Sequence, residues 1–86
     1  METGNVIKYP LSTEKSIRIM ESENKLVFVV DRKATKQDIK KAIEELFKSR
    51  VESIRTVISA KGDKRAYVRF SAETPAIDIA TNLGLM

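Results

Sequence analysis

The sequence predicts an α+β fold: a small, antiparallel-rich, four-stranded sheet with helices packed on it. Three observations carry this. Residues 36–48 show apolar positions at helical spacing. KLVFVVD (25–31) is a β-branched run apolar on both faces. VESIRTVIS (51–59) and KRAYVRFS (64–71) alternate across a short turn around Gly62, which is a hairpin signal.

NVIKYPL (5–11) reads as a first short strand, and Pro10, lacking a ladder donor, assigns it to an edge or a strand end. LSTEKSIRIMES (11–22) reads as a short helix capped by Ser12 or Thr13, with Glu14 in the dipole-favourable first turn. In the second strand Leu26, Phe28 and Val30 face one way and Val27 and Val29 the other, which suits the middle of a covered sheet. Thr35 and Asp38 then form a capping-box pattern with Asp in place of Glu. Behind it Ile39, Ala42, Ile43, Leu46 and Phe47 make one apolar stripe, expected to be core, with lysines and glutamates opposite.

In the hairpin, Ile54, Thr56 and Ile58 alternate with Arg55 and Val57, while Ala66, Val68 and Phe70 share a buried face against Arg65, Tyr67 and Arg69. Finally, Thr74–Pro75 reads as a cap and a first helical position, and Ala76, Ile79, Ala80 and Leu83 form a short stripe ended by Gly84. The order strand, helix, strand, helix, strand, strand, helix is ferredoxin-like in shape, a single domain over residues 1–86.

Composition narrows the function. With no cysteine and no histidine there is no thiolate or imidazole metal site and no Ser–His or Cys–His nucleophile. The acidic residues are scattered apart from Glu44–Glu45, no Gly-rich phosphate cradle is present, and an enzyme or a small-molecule site is not expected; no cofactor is implied. No apolar run nears the roughly 20 residues of a membrane span, and METGNVIKYP lacks a secretory h-region.

The net charge of +4 is unevenly placed. Residues 1–31 hold four basic and five acidic residues, residues 32–69 hold twelve and five, and residues 70–86 hold none and two. A basic middle between near-neutral ends fits a polyanion partner, although charge alone does not separate that from a lysine-rich solvated surface. Alternation adds the deciding detail. Arg65, Tyr67 and Arg69 occupy one strand face, Arg55 joins from the neighbouring strand, and Lys61 and Lys64 stand at the hairpin end. Guanidinium forks for phosphate beside a tyrosine ring suit RNA. AYVRF (66–70) resembles the end of an RNA-recognition-motif signature, but Lys64 and Arg65 replace its glycine and its first aromatic residue. The sequence up to Met86 also leaves no place for the fourth strand that motif needs after its second helix.

VIKYPLSTEKS (6–16), the amphipathic helix, KGDKRAYVRF (61–70) and PAIDIATNLGLM (75–86), in this order and spacing, resemble the ribosomal protein L-twenty-three family of the large subunit. The resemblance implies an rRNA-binding protein, cytoplasmic within the large ribosomal subunit, beside the exit of the nascent-chain tunnel. Implied rRNA contacts are Lys8, Tyr9, Thr13 and Lys15 in the first motif, besides Arg55, Lys61, Lys64, Arg65, Tyr67 and Arg69. Implied partners are neighbouring large-subunit proteins, including the L-twenty-nine family, and nascent-chain factors such as the signal recognition particle, with Glu14 on the docking surface. Phe70 stands where the family usually has Leu, and Arg55 where it often has Asn. The short turn at 60–63 leaves no room for the long bacterial hairpin, and the sequence shows no basic N-terminal extension of the eukaryotic kind, so the archaeal type is expected. A free-standing RNA-binding module of ferredoxin-like shape is the alternative, and a non-nucleic-acid interaction domain a third reading.

Overall fold

The computed structural model describes residues 6–83. Among these residues seven elements occur in order: β1 (Ile7–Pro10), α1 (Glu14–Glu23), β2 (Lys25–Val30), α2 (Lys36–Phe47), β3 (Val51–Ile58), β4 (Lys64–Phe70) and α3 (Ala76–Asn82). The strands form one sheet in the order β1-β2-β4-β3, and each neighbouring pair is antiparallel. This is the expected α+β, ferredoxin-like arrangement, with β1 and its terminal Pro10 at an edge.

The first two helices start where local chemistry satisfies their orphan N–H groups. For α1 the cap is Thr13: its Oγ1 accepts from Ser16 N–H at 3.1 Å, and Ser16 Oγ accepts from Thr13 N–H at 2.8 Å. The helix ends at Asn24, which takes the left-handed conformation at φ 56°. For α2, Thr35 Oγ1 accepts from Asp38 N–H and Asp38 Oδ2 accepts from Thr35 N–H, closing the expected box at 3.1 and 3.0 Å.

The third helix starts differently from the expectation. Pro75 is its N-cap, and Thr74 supplies no side-chain cap; Thr74 Oγ1 instead accepts from Arg50 N–H. The N–H of Ala76 is met from a distant part of the chain, by Asn24 Oδ1 at 2.6 Å. Asn24 Nδ2 also lies within 3.0–3.2 Å of the Phe70, Ser71 and Thr74 carbonyls. One amide therefore ties the end of α1 to the exit of β4 and the start of α3. The expected stop at Gly84 lies outside the described residues.

All three helices contribute to the core on one sheet face, and the first part of α1 also borders the other face at the β2 edge. Leu26, Phe28, Val30, Ala66, Val68 and Phe70 form a single cluster with Met20, Ile39, Ala42, Ile43, Ala76, Ile79 and Ala80. Phe28 stacks on Phe47 with centroids 5.9 Å apart. The predicted α2 stripe needs one correction: Leu46 is 52% exposed. At i+3 from Ile43 it lies on the margin of the buried arc, and the four-stranded sheet is too narrow to cover that margin. Ile58, at the far end of edge strand β3, is 51% exposed for a similar reason.

The β3–β4 connection is the expected tight hairpin. Ser59 N–H donates to the Asp63 carbonyl at 2.8 Å, and Gly62 N–H donates to the Ser59 carbonyl. Gly62 sits at φ +90°, a region that a side chain would strain.

Candidate nucleic-acid interface

The sheet face away from the helices carries the candidate site. Residues paired across an antiparallel ladder point to the same side, so the register assigns its membership. One row reads Tyr9, Val29, Arg65, Val57 across β1, β2, β4 and β3. The next reads Val27, Tyr67, Arg55, with the Leu11 N–H bonded to the Val27 carbonyl beyond β1. A third reads Lys25, Arg69, Ser53. Four cations and two tyrosines stand in these rows, and none of the paired positions is a carboxylate. Tyr67 is thus on the open face and outside the core cluster.

Val27 and Val29 belong to this face yet are only 3% and 2% exposed. Their cross-strand neighbours are Tyr67 and Arg65, whose apolar ring and stem cover aliphatic surface, and Leu11 and Ile19 stand beside Val27 at the sheet edge. A double-sided apolar strand is here covered on one side by the helical core and on the other by amphipathic side chains and the start of α1.

Among the residues predicted for the site, Arg55, Arg65, Tyr67 and Arg69 converge as expected. Arg65 is half-buried, and its Nε–H is enclosed without an acceptor. Arg69 pairs with Glu52 at 3.7 Å, both half-exposed, so this bond is easily exchanged for one to another anion. Tyr9 extends the face on β1, with Lys8 exposed beside it. The α1 N-terminus joins through Thr13 and Lys15, which border a cleft of about 80 Å³ together with Arg65, Tyr67 and Val27. Thr13 is already engaged as the helix cap. Lys61 is exposed at the hairpin tip.

Lys64 does not join them. It precedes Ala66 by two residues and so shares the helix-covered face, where its Nζ donates to the Ala34 carbonyl at 2.6 Å. Its role is to fasten the loop before α2 to the sheet. Glu14 opens α1 and pairs with Arg18 at 3.3 Å, both strongly exposed. It adjoins the Thr13–Lys15 rim of the cleft, nearer to the basic face than its place in the sequence indicates.

The sequence patterns leave out two members of the face. Lys25 lies in register with Arg69, its ammonium 3.2 Å from Glu23 Oε1. Val57 keeps 40% of its surface exposed on the same side. Strand parity is the signal that finds both, since Lys25 alternates with Val27 and Val29, and Val57 stands two residues past Arg55. With Arg55 and Tyr67 they frame a hollow of about 250 Å³. A larger hollow of about 440 Å³ lies where the end of α1 meets β3 and β4, and Glu21, Glu23 and Glu52 in its lining make it a poor phosphate site. Among the described residues no group of three or more acidic side chains is placed to hold a metal ion.

The profile of the family described as "Ribosomal protein L23" matches residues 5–80. The large ribosomal subunit protein uL23 of Methanococcus aeolicus is 46% identical over 85 residues, 99% of each chain. The uL23 proteins of Methanococcus vannielii and Methanococcus maripaludis are 46% and 48% identical over the same coverage.

Proposed function

The chain belongs to the ribosomal protein L23 family, and from that premise we propose that its open sheet face anchors it to large-subunit rRNA beside the polypeptide exit tunnel. As a member of that family it is a structural constituent of the large ribosomal subunit, cytoplasmic, of archaeal type, and not an enzyme. The observation that carries the RNA assignment is the register. It gathers Lys25, Arg55, Arg65 and Arg69 around Tyr67 on one face with no carboxylate at any position directly opposite them, and the Lys25–Glu23 and Arg69–Glu52 pairs are partly exposed and exchangeable. Lys8, Tyr9, Lys15 and Lys61 extend the footprint at its margins. Thr13 takes part through the geometry of the α1 start rather than through a free hydroxyl. Lys64 acts indirectly, by holding the α2 loop. Among the described residues one core cluster draws on all three helices, which supports the reading of residues 1–86 as one rRNA-binding domain.

The partners implied are rRNA and neighbouring large-subunit proteins, with the L-twenty-nine family as the adjacent one. Glu14, exposed at the start of α1, belongs to a surface that meets nascent-chain factors such as the signal recognition particle.

The test of the RNA assignment is a salt series. Replacing Arg55, Arg65 and Arg69 together by Gln removes charge from the open face and leaves the core cluster untouched. Binding to large-subunit rRNA should weaken, and the slope of log affinity against log salt should flatten by about 0.7–0.9 for each phosphate no longer neutralised. The melting temperature of the free protein should stay close to that of the wild type. A variant with the wild-type slope rules out this face as the anchor.

A further inference from the structure

The hollow between Lys25, Arg55, Val57 and Tyr67 has a lining that phosphate binding alone does not explain. Its volume of about 250 Å³ is below the roughly 300–1,000 Å³ of sites that enclose drug-sized ligands. Register fixes the arrangement. Arg55 lies directly opposite Tyr67, Val57 stands two residues further along β3, and Lys25 lies diagonally across on β2. The tyrosine ring thus has a planar guanidinium and an exposed aliphatic wall on one side and an ammonium on the other.

A phosphate group uses the two cations and has no use for Val57 or the ring. A continuous A-form duplex keeps its bases stacked inside and shows the sheet only riboses and phosphates. One unstacked nucleotide uses all four side chains: its base lies on Tyr67 and against Val57, and its flanking phosphates meet Arg55 and Lys25. Arg55 is exposed, and the Lys25–Glu23 pair is partly exposed, so both cations can turn to an incoming phosphate.

We infer that this hollow receives a single splayed-out, unpaired nucleotide, so that the face recognises a loop or bulge of the rRNA and not an uninterrupted duplex. This rests on the RNA assignment above and deepens it by naming the kind of RNA element.

The experiment uses the full chain and three fluorescent probes in anisotropy titrations at fixed salt. They are a uridine RNA strand of about eight nucleotides, an abasic strand of equal length, and an RNA duplex of about eight base pairs. The wild-type protein should bind the uridine strand on the order of 5- to 100-fold more tightly than the abasic one, the range expected from loss of one stacked base. Tyr67→Leu should abolish that difference, while Tyr67→Phe should keep it. The abasic comparison needs no variant, so it stands even if Tyr67→Leu folds poorly. Equal wild-type affinity for the uridine and abasic strands, or tighter duplex binding that is indifferent to Tyr67→Leu, overturns the inference. In that case salt-dependent binding of large-subunit rRNA, measured alongside, persists if only the nucleotide hollow is wrong and disappears if the face does not bind RNA at all.

Discussion

Asn24 has a left-handed backbone, which asparagine tolerates better than most residues, and its amide joins three segments that are far apart in sequence. Replacement by Ala would deprive the Ala76 N–H and the Phe70, Ser71 and Thr74 carbonyls of that partner and would strain the backbone. Asn24→Ala should therefore cost about 2–4 kcal/mol, from one or two unsatisfied buried groups plus the left-handed penalty. Urea melts at neutral pH measure this, and a loss under about 0.5 kcal/mol would show the amide to be dispensable. Nothing in the local sequence signals this role, because a polar residue between a helix and a strand reads as a turn. Lys64 is the complementary case. Its charge places it with the arginines, and strand parity places it with Ala66; the structure obeys parity. Tyr67, by contrast, stands where alternation with Ala66 and Val68 predicts.

The helices and strands obey local rules closely, and the departures occur at their margins. In α2 the Thr35–Asp38 box forms as the spacing predicts, and the bond from the Thr35 backbone N–H, with a smaller contribution from the nearby Thr35 hydroxyl, holds the Asp38 carboxyl below its usual 3.8. Linkage sets the sign: the unfolded chain binds this proton more readily, so the contribution is complete above the unfolded value and is lost as pH falls through the folded one. Comparing Asp38→Asn with the wild type in thermal melts from pH 6 to pH 2 should show a destabilised variant above about pH 4 and convergence of the two below it. A constant difference across the series would assign the cap to shape and not to charge. The same helix ends at Lys48, left-handed at φ 48°, so a lysine bears there the strain that a glycine would avoid. Periodicity alone groups Leu46 with the core, yet periodicity gives only an angle around the helix. Whether that angle meets another element depends on the width of the sheet beneath it.

At the scale of the whole molecule the charges sort by position. The open face is basic, while the corner between α1, β3 and β4 gathers Glu21, Glu23 and Glu52. Such polarity should orient the protein on RNA before contact, with the acidic corner turned away. Glu14 tests how docking and RNA binding are divided. It lies beside the Lys15 rim of the basic face, already paired with Arg18 on an exposed helix turn, and such a pair contributes little to stability. Glu14→Gln should leave assembly into large subunits unchanged and make binding of the signal recognition particle to ribosomes weaker and less sensitive to salt, since rim charges govern encounter. Wild-type binding across a salt series would remove Glu14 from the docking surface. The sequence by itself determined the element order, the caps of the first two helices, the buried second strand, the hairpin around Gly62 and the arginine–tyrosine alternation, because each depends on spacing within a few residues of chain. The family, too, was legible in motifs held at a fixed order. Only the tertiary structure decided that Lys25 and Val57 complete the open face, that Lys64 leaves it, that Leu46 stays in solvent and that Asn24 caps a helix 52 residues away. Parity sorts Lys25, Val57 and Lys64 by face, but which face stays open, how far the sheet reaches under Leu46 and what Asn24 meets depend on strand order, register and sheet width, which arise from packing between segments distant in sequence.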